Sequence, residues 1–376
     1  MDRAMEPTLS AGRLFGVRIN LSPSWFLIFA LVTWTLSAGY FPAQYPWWPI
    51  QMHWVLGVFG SLAFFGSVVA HELAHAVVAL RFGIPVARIT LFLFGGLAQI
   101  TREAATPKAE AAIAIAGPAA SMLLAVIFAV AFVVARLFWE PAEGLCLWLA
   151  TINGSLALFN LIPGFPLDGG RLLRALVWAR TTDYRRATRI SSAAGQVVGF
   201  LLVFVGLYML TQGSLMDAFW LVLVGWFLHG AAVGSYRSVK VADDLKSVAV
   251  GDVMARDVIP VPADATVAEF VNGYLMRRRH CRYPVVRGID LVGMVGLAEL
   301  RGVAVEKRTS TWVAGVMRPV EQCRPLQPRD SGDQALQQLN ELEMEDLPVV
   351  EDGRVVGILS RSELMRLVQT RQQLRR

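Results

Sequence analysis

His71, Glu72 and His75 stand in the order His-Glu-Leu-Ala-His inside a long apolar stretch. On a helix, residues four apart lie one above the other, so both imidazoles can reach one metal ion. Glu72 projects to the side, where it can act as a base toward water. The bland alternative is a pair of core histidines with an incidental carboxylate. It fits poorly, because three ionisable groups inside one hydrophobic span are costly and are usually kept for function. A catalytic zinc takes three protein ligands and leaves one position open, so the two histidines leave one ligand to find.

The candidate for that ligand is Asp168, in the run Asn160-Leu161-Ile162-Pro163-Gly164-Phe165-Pro166-Leu167-Asp168-Gly169-Gly170. The prolines and glycines must break a helix here. Irregular backbone at membrane depth is tolerated only where protein buries it or it lines a wet cavity. The run is therefore predicted to pack inside a helix bundle. An ordinary use of Asp168 is as the N-cap of a following helix, Gly169 to about Arg180. A cap and a ligand are not exclusive, and depth favours the ligand.

The elements that must position these groups are apolar helices. Of 376 residues, 55% are hydrophobic and 17% charged, against roughly a quarter charged in an ordinary soluble protein. The apolar runs lie between residue 24 and about residue 235, and 236–376 reads as a soluble mixture. A bilayer core of ~30 Å needs roughly 20 apolar residues in a helix. Six segments qualify, at about 24–40, 53–80, 111–137, 144–162, 193–211 and 216–235.

Basic residues alternate between the connecting loops. Arg3, Arg13 and Arg18 precede the first span, and no charge follows it. Arg81, Arg88, Arg102 and Lys108 follow the second, and Arg136 alone borders the third. Arg171, Arg174, Arg180, Arg185, Arg186 and Arg189 follow the fourth; none follows the fifth, and Arg237 and Lys240 follow the sixth. By the positive-inside rule both termini are predicted to be cytoplasmic, and Trp47 and Trp48 suit an outer interfacial belt. His75 lies six residues before Arg81, or ~9 Å along a helix, and Asp168 lies three residues before Arg171. Both fall toward the cytoplasmic side of the bilayer and can meet.

Other chemistry is excluded or unremarkable. The net charge of +6 is scattered over loops rather than clustered with aromatics, which argues against a nucleic-acid partner. Cys146, Cys281 and Cys323 form no CxxC pair, so neither a cysteine metal site nor a disulfide framework is indicated. The N-terminus reads as lacking a signal peptide, because a polar stretch with Arg3 and Glu6 precedes the first apolar run. His53, His229 and His280 have no ligand pattern nearby.

The histidine motif, the downstream Leu167-Asp168-Gly169 and the Gly117-Pro118-Ala119-Ala120-Ser121 of the third span together resemble the site-2 protease family. These are intramembrane zinc metalloproteases, and the prokaryotic branch in question carries C-terminal CBS (cystathionine-β-synthase-type) domains. The resemblance implies one zinc ion per chain held by His71, His75 and Asp168, with Glu72 as the catalytic base. It also implies a role for Asn160 near the substrate carbonyl. The other reading of Asn160 is repair of hydrogen bonds freed by Pro163. Residues 84–101, between the second and third spans, alternate like strands and contain Gly95-Gly96, which suggests a hairpin. Its edge could hold an extended substrate by strand addition, making Gly95 and Gly96 candidate substrate-binding residues. The resemblance implies a small membrane-associated sheet here, where a plain interfacial loop is the alternative.

The soluble half repeats itself. Val253-Met254 recurs as Val316-Met317, Tyr283-Pro284-Val285-Val286 as Leu347-Pro348-Val349-Val350, and Leu291-Val292-Gly293-Met294 as Val355-Val356-Gly357-Ile358. A repeated α/β unit at a period of roughly 64 residues resembles a tandem CBS pair. Such pairs often bind adenine nucleotides through an aspartate that follows a Ser or Thr by three residues. Here those positions read Gly296 to Glu299 and Ser360 to Glu363, which argues against a nucleotide. A structural or dimerising role stands beside a sensing one.

The fold class is thus a polytopic α-helical membrane protein, with six transmembrane helices and a small membrane-associated β hairpin or sheet, plus a soluble α/β tandem CBS module. The domains are a membrane metalloprotease domain at 1–236, a linker at 237–247, and repeats at 248–305 and 312–372. The resemblance implies an enzyme of the cell membrane that cuts transmembrane segments of membrane-anchored regulators, such as anti-sigma factors. Its CBS pair would be cytoplasmic, and homodimer formation through that pair is open. A CBS-regulated transporter or channel is the alternative, since intramembrane carboxylates also suit ion paths. It leaves the histidine spacing unexplained.

Overall fold

Six helices among the described residues are long and apolar enough to cross a membrane. The computed structural model describes residues 9–92, 95–100, 104–275, 282–300, 302–342 and 344–374. Arg3, Glu6, Arg102, His280 and Cys281 lie outside them. The chain divides into two units, Met1–Arg237 and Ser238–Arg376.

The spanning helices are α1 (Pro23–Gln44), α2 (Ile50–Arg81), α3 (Pro107–Ala135), α4 (Glu140–Asn160) and α6 (Tyr184–Thr211) in the first unit, and α7 (Leu215–Lys246), which begins there and ends in the second; the shorter α5 (Asp168–Thr181) lies between α4 and α6. Their starts are encoded locally. Thr106 accepts a hydrogen bond from Ala109 N with Pro107 in the first turn of α3, and Asp183 accepts one from Arg186 N at the start of α6. Helix α2 is the most enclosed, burying 44% of its most apolar stretch, while the others bury 17–22% and leave the remainder for lipid. Polar side chains tie neighbours together: Thr33 donates to Ser61, and Asn153 donates to Ser67 at 3.2 Å. Trp47 is 65% exposed, but Trp48 is buried and stacked on Tyr45 with ring centroids 4.0 Å apart. Of the two tryptophans assigned to an outer belt, Trp47 is thus the exposed one.

The residues between α2 and α3 form strands β3 (Val86–Phe92) and β4 (Gly95–Ile100), an antiparallel pair. The N-terminal stretch, read from sequence only as a polar lead-in, adds β1 (Leu9–Leu14) and β2 (Val17–Leu21). The sheet order is β1-β2-β3-β4, with β2 parallel to β3. A parallel pair needs a long crossover, and α1 and α2 supply it. Strand β4 is an edge.

Asp168 is the first residue of α5, and the N-cap is Leu167, which makes no side-chain capping bond. The capping role considered for Asp168 is therefore not used. The loop before it is built by close backbone contact: a Cβ on Gly169 would lie 2.2 Å from Leu161 O, and one on Gly195 of α6 would lie 1.9 Å from Phe165 O. Only glycine permits such approaches.

In the second unit, residues read as a linker are helical, because α7 continues to Lys246 and buries Val241 and Leu245. The strands β5 (Val261–Pro262), β6 (Arg282–Arg287), β7 (Asp290–Gly296), β8 (Arg318–Pro319), β9 (Asp346–Glu351) and β10 (Arg354–Ser360) form one mixed sheet, ordered β5-β6-β7-β10-β9 with β8 on β7. The repeats exchange their opening turns. Val250 packs in the core of the second repeat with Leu347 and Val349, whereas Val313 packs in that of the first with Val285 and Val295. Met254 lies over Gly357, and Met317 over Gly293, in mirrored fashion.

Candidate metal centre

Helix α2 brings His71 and His75 to one face, and both are 4% exposed. The start of α5 brings Asp168 to them. His71 Nε2 and His75 Nε2 lie 3.2 Å apart, and Asp168 Oδ2 lies 3.2 and 3.1 Å from the two nitrogens. This is the only such group of three His, Cys, Asp or Glu donors found among the described residues. A regular tetrahedron with bonds of ~2.0–2.1 Å has edges of ~3.3–3.4 Å. The triangle thus fits three corners of a zinc site to within a few tenths of an ångström.

The partners of the outer ring nitrogens support a cation there. His75 Nδ1 lies 2.6 Å from the carbonyl oxygen of Ile113 in α3. A carbonyl only accepts, so in neutral His75 the ring proton is on Nδ1 and Nε2 presents a lone pair. That lone pair faces a carboxylate oxygen that likewise has only lone pairs, and a cation between them removes the repulsion. His71 Nδ1 lies 2.9 Å from Ser121 Oγ. Both rings are thus oriented by a partner on their outer nitrogen, as metal-binding histidines usually are.

Helix α3 makes room for the pair. A Cβ on Gly117 would lie 2.2 Å from His75 Nε2 and 2.6 Å from His71 Nε2. Ile113, Gly117 and Ser121 succeed one another at four-residue spacing and so share one face. Pro118 cannot donate to the carbonyl of Ala114, which breaks the helical ladder one residue from the carbonyl His75 uses. The sequence reading singled out Gly117 and Ser121 without giving them a role and missed Ile113, whose contribution is backbone. Small residues four apart in an apolar helix were the available signal for the first two.

Glu72 is half-buried and borders β4, where a Cβ on Gly96 would lie 2.4 Å from Glu72 Cγ. Gly96 therefore makes room for this carboxylate. Gly95 opens β4 with φ +125°, a conformation that favours glycine. Asn160 ends α4, three residues before Pro163. Arg174, counted above among loop charges, is instead nearly buried against Glu110.

In the second unit the two glutamates at the positions of the ribose-contacting aspartates make local contacts. Glu299 Oε2 accepts from Gly296 N at 3.0 Å, and its Oε1 lies 2.9 Å from Arg282 Nη1. Glu363 Oε2 accepts from Ser360 N at 3.1 Å, while Ser360 Oγ accepts from Glu363 N. Both carboxylates thus take part in contacts within their own repeats, Glu299 through both oxygens and Glu363 through Oε2.

The profile of peptidase family M50 matches residues 59–138 and 136–206, and the CBS domain profile matches 250–306 and 313–370. Rip3 of Mycobacterium tuberculosis, provisionally named a zinc metalloprotease, is 36% identical over 368 residues, covering 97% of this chain and 93% of that one. Zinc metalloprotease MJ0392 of Methanocaldococcus jannaschii is 30% identical over 306 residues, covering 80% and 82%. The solved site-2 protease of Methanocaldococcus jannaschii aligns at 25% identity and a TM-score of 0.43, covering 61% of this chain and 95% of that one.

Proposed function

The chain belongs to peptidase family M50, the zinc metalloproteases of site-2 type, here with tandem CBS domains, and from that premise we propose that His71, His75 and Asp168 hold one zinc ion and that Glu72 is the catalytic base. The observation that carries this reading is the convergence of three buried donor atoms at 3.1–3.2 Å, beside a glutamate on the same helix. When bound, zinc supplies a Lewis acid that polarises the scissile carbonyl and acidifies water.

The protein's own groups do the rest. Asp168 and the two imidazoles, oriented by Ile113 and Ser121, fix the position of the reacting centre. Glu72 takes a proton from the attacking water and returns it to the leaving amine. Asn160, at the end of α4, donates to the substrate carbonyl oxygen as negative charge grows there. A helical substrate has its amides internally paired and must be unwound before cleavage. The edge of β4 receives the unwound segment by strand addition, with Gly95 and Gly96 at its first turn, and Gly96 sets the edge against Glu72.

The substrates are membrane-anchored regulators, single-span proteins such as anti-sigma factors, cut within the bilayer. Both termini and the CBS pair face the cytoplasm, and water reaches the site from that side. The CBS pair acts as a structural or dimerising module without nucleotide. A transporter or channel would use Glu72 and Asp168 but would give no reason for two oriented imidazoles on one oxygen. The deciding experiment is a Glu72→Gln protein assayed for zinc and for membrane fragments released from a cell. Zinc retained with fragments lost supports the reading, and fragments released at the wild-type level refute it.

A further inference from the structure

Arg174 lies on α5, six residues after Asp168, and Glu110 lies on α3, three residues before Ile113. Arg174 Nε donates to Glu110 Oε1 at 2.6 Å, and its Nη2 donates to the same oxygen. Side-chain exposures of 12% and 1% place the pair inside the protein. The guanidinium lies between two rings, 4.8 Å from the centroid of Phe165 and 4.7 Å from that of Tyr184. Trp178, one turn beyond Arg174, meets Tyr184 edge-on at 4.9 Å. One side chain of α5 thus touches the loop before Asp168, the start of α6, and the helix that carries the partners of both histidines.

A buried ion pair is a poor source of stability, since desolvation offsets its attraction and an apolar pair of similar volume often serves as well. What this pair supplies is a fixed distance. Helix α3 orients His71 and His75 through Ser121 and Ile113, and α5 carries Asp168; the two helices are joined at Glu110 and Arg174. We propose that Arg174 is a positioning residue, whose bond to Glu110 between Phe165 and Tyr184 sets the spacing of Asp168 from the two histidines and so the affinity for the metal. This rests on the ligand set proposed above.

The test uses the full chain in detergent. The zinc dissociation constant is measured by competition with a chromophoric chelator, and melting is followed in parallel with excess chelator. The variants are Arg174→Lys, the double Glu110→Met/Arg174→Met, and Asp168→Ala. Arg174→Lys keeps the charge but loses the planar fork and the ring stacking, and the double variant removes both charges of the pair together. Both are expected to melt as the wild type does while binding zinc 10- to 100-fold more weakly, the range for lost outer-shell support. Zinc affinity within twofold of wild type in either folded variant overturns the proposal; should the double variant not fold, Arg174→Lys decides. If Asp168→Ala binds as tightly as wild type, the ligand set itself has failed, which is a different result.

Discussion

The tightest constraint on the metal centre is the missing side chain of Gly117. In Gly117→Ala, the new methyl would sit 2.2 Å from His75 Nε2 and 2.6 Å from His71 Nε2. Nonbonded heavy atoms settle at ~3.5 Å, so the two rings must withdraw by roughly 1 Å. Ligand distances in a metal site tolerate only about ±0.2 Å, so the displacement is several times what the site can absorb. Outer-shell changes alone cost 10–100-fold in affinity; moving two ligands should cost at least ~100-fold. The backbone pulls the other way, because alanine favours a helix interior over glycine by roughly 0.5–1 kcal/mol. The expected signature is therefore loss of zinc without loss of fold. Zinc per chain is measured by atomic spectroscopy on detergent-purified protein, and melting is compared in chelator, where metal contributes to neither sample. A Gly117→Ala protein that holds one zinc per chain and cleaves normally would refute the packing argument.

Further outcomes follow from single contacts. Gly96→Ala places a methyl 2.4 Å from Glu72 Cγ; cleavage should fall about 10²-fold, as for an ångström-scale misplacement, with zinc content unchanged, and full activity would contradict it. Proline introduced in turn at Leu97, Ala98 and Gln99 should slow cleavage at one or more positions while zinc is retained; normal rates at all three would remove the strand-addition step. Burial pushes the Cys323 thiol up to about 11 from 9.0, so at pH 8 its thiolate fraction should be roughly 100-fold below that of the unfolded chain. Alkylation mapped by mass spectrometry should reflect this. The unfolded thiol ionises first, so stability of the second unit should decline as pH rises from 9 toward 11; labelling as fast as in denaturant would be the contrary result. Millimolar AMP or ATP should leave the melting temperature unchanged, and a concentration-dependent rise would show that Glu299 and Glu363 can be freed.

The parts of the site that could be read in the sequence are those governed by helical periodicity. His71 and His75 share a face because they are four apart, and Asp168 could be brought to their depth by counting residues to Arg81 and Arg171. What escaped depends on contacts between distant segments. Ile113 contributes a backbone oxygen, which no residue type announces. Strand β2 alternates Val17, Ile19 and Leu21, but its parallel partner β3 lies some 70 residues on and gives no local sign. Arg174 counted as a loop charge and Glu110 drew no reading at all; only packing shows that they meet. The helical course of 237–246 was hidden by its mixed polarity, since the apolar face it presents, Val241 and Leu245, serves the second unit.

The exchanged opening turns make the two CBS repeats inseparable in heredity as well as in folding. Cut the gene after codon 310, and the first repeat loses Val313 from its interior while Val250 is left reaching for a neighbour that was never made. A lineage can therefore discard this module whole, but halving it leaves two unfinished surfaces and a target for quality-control proteolysis.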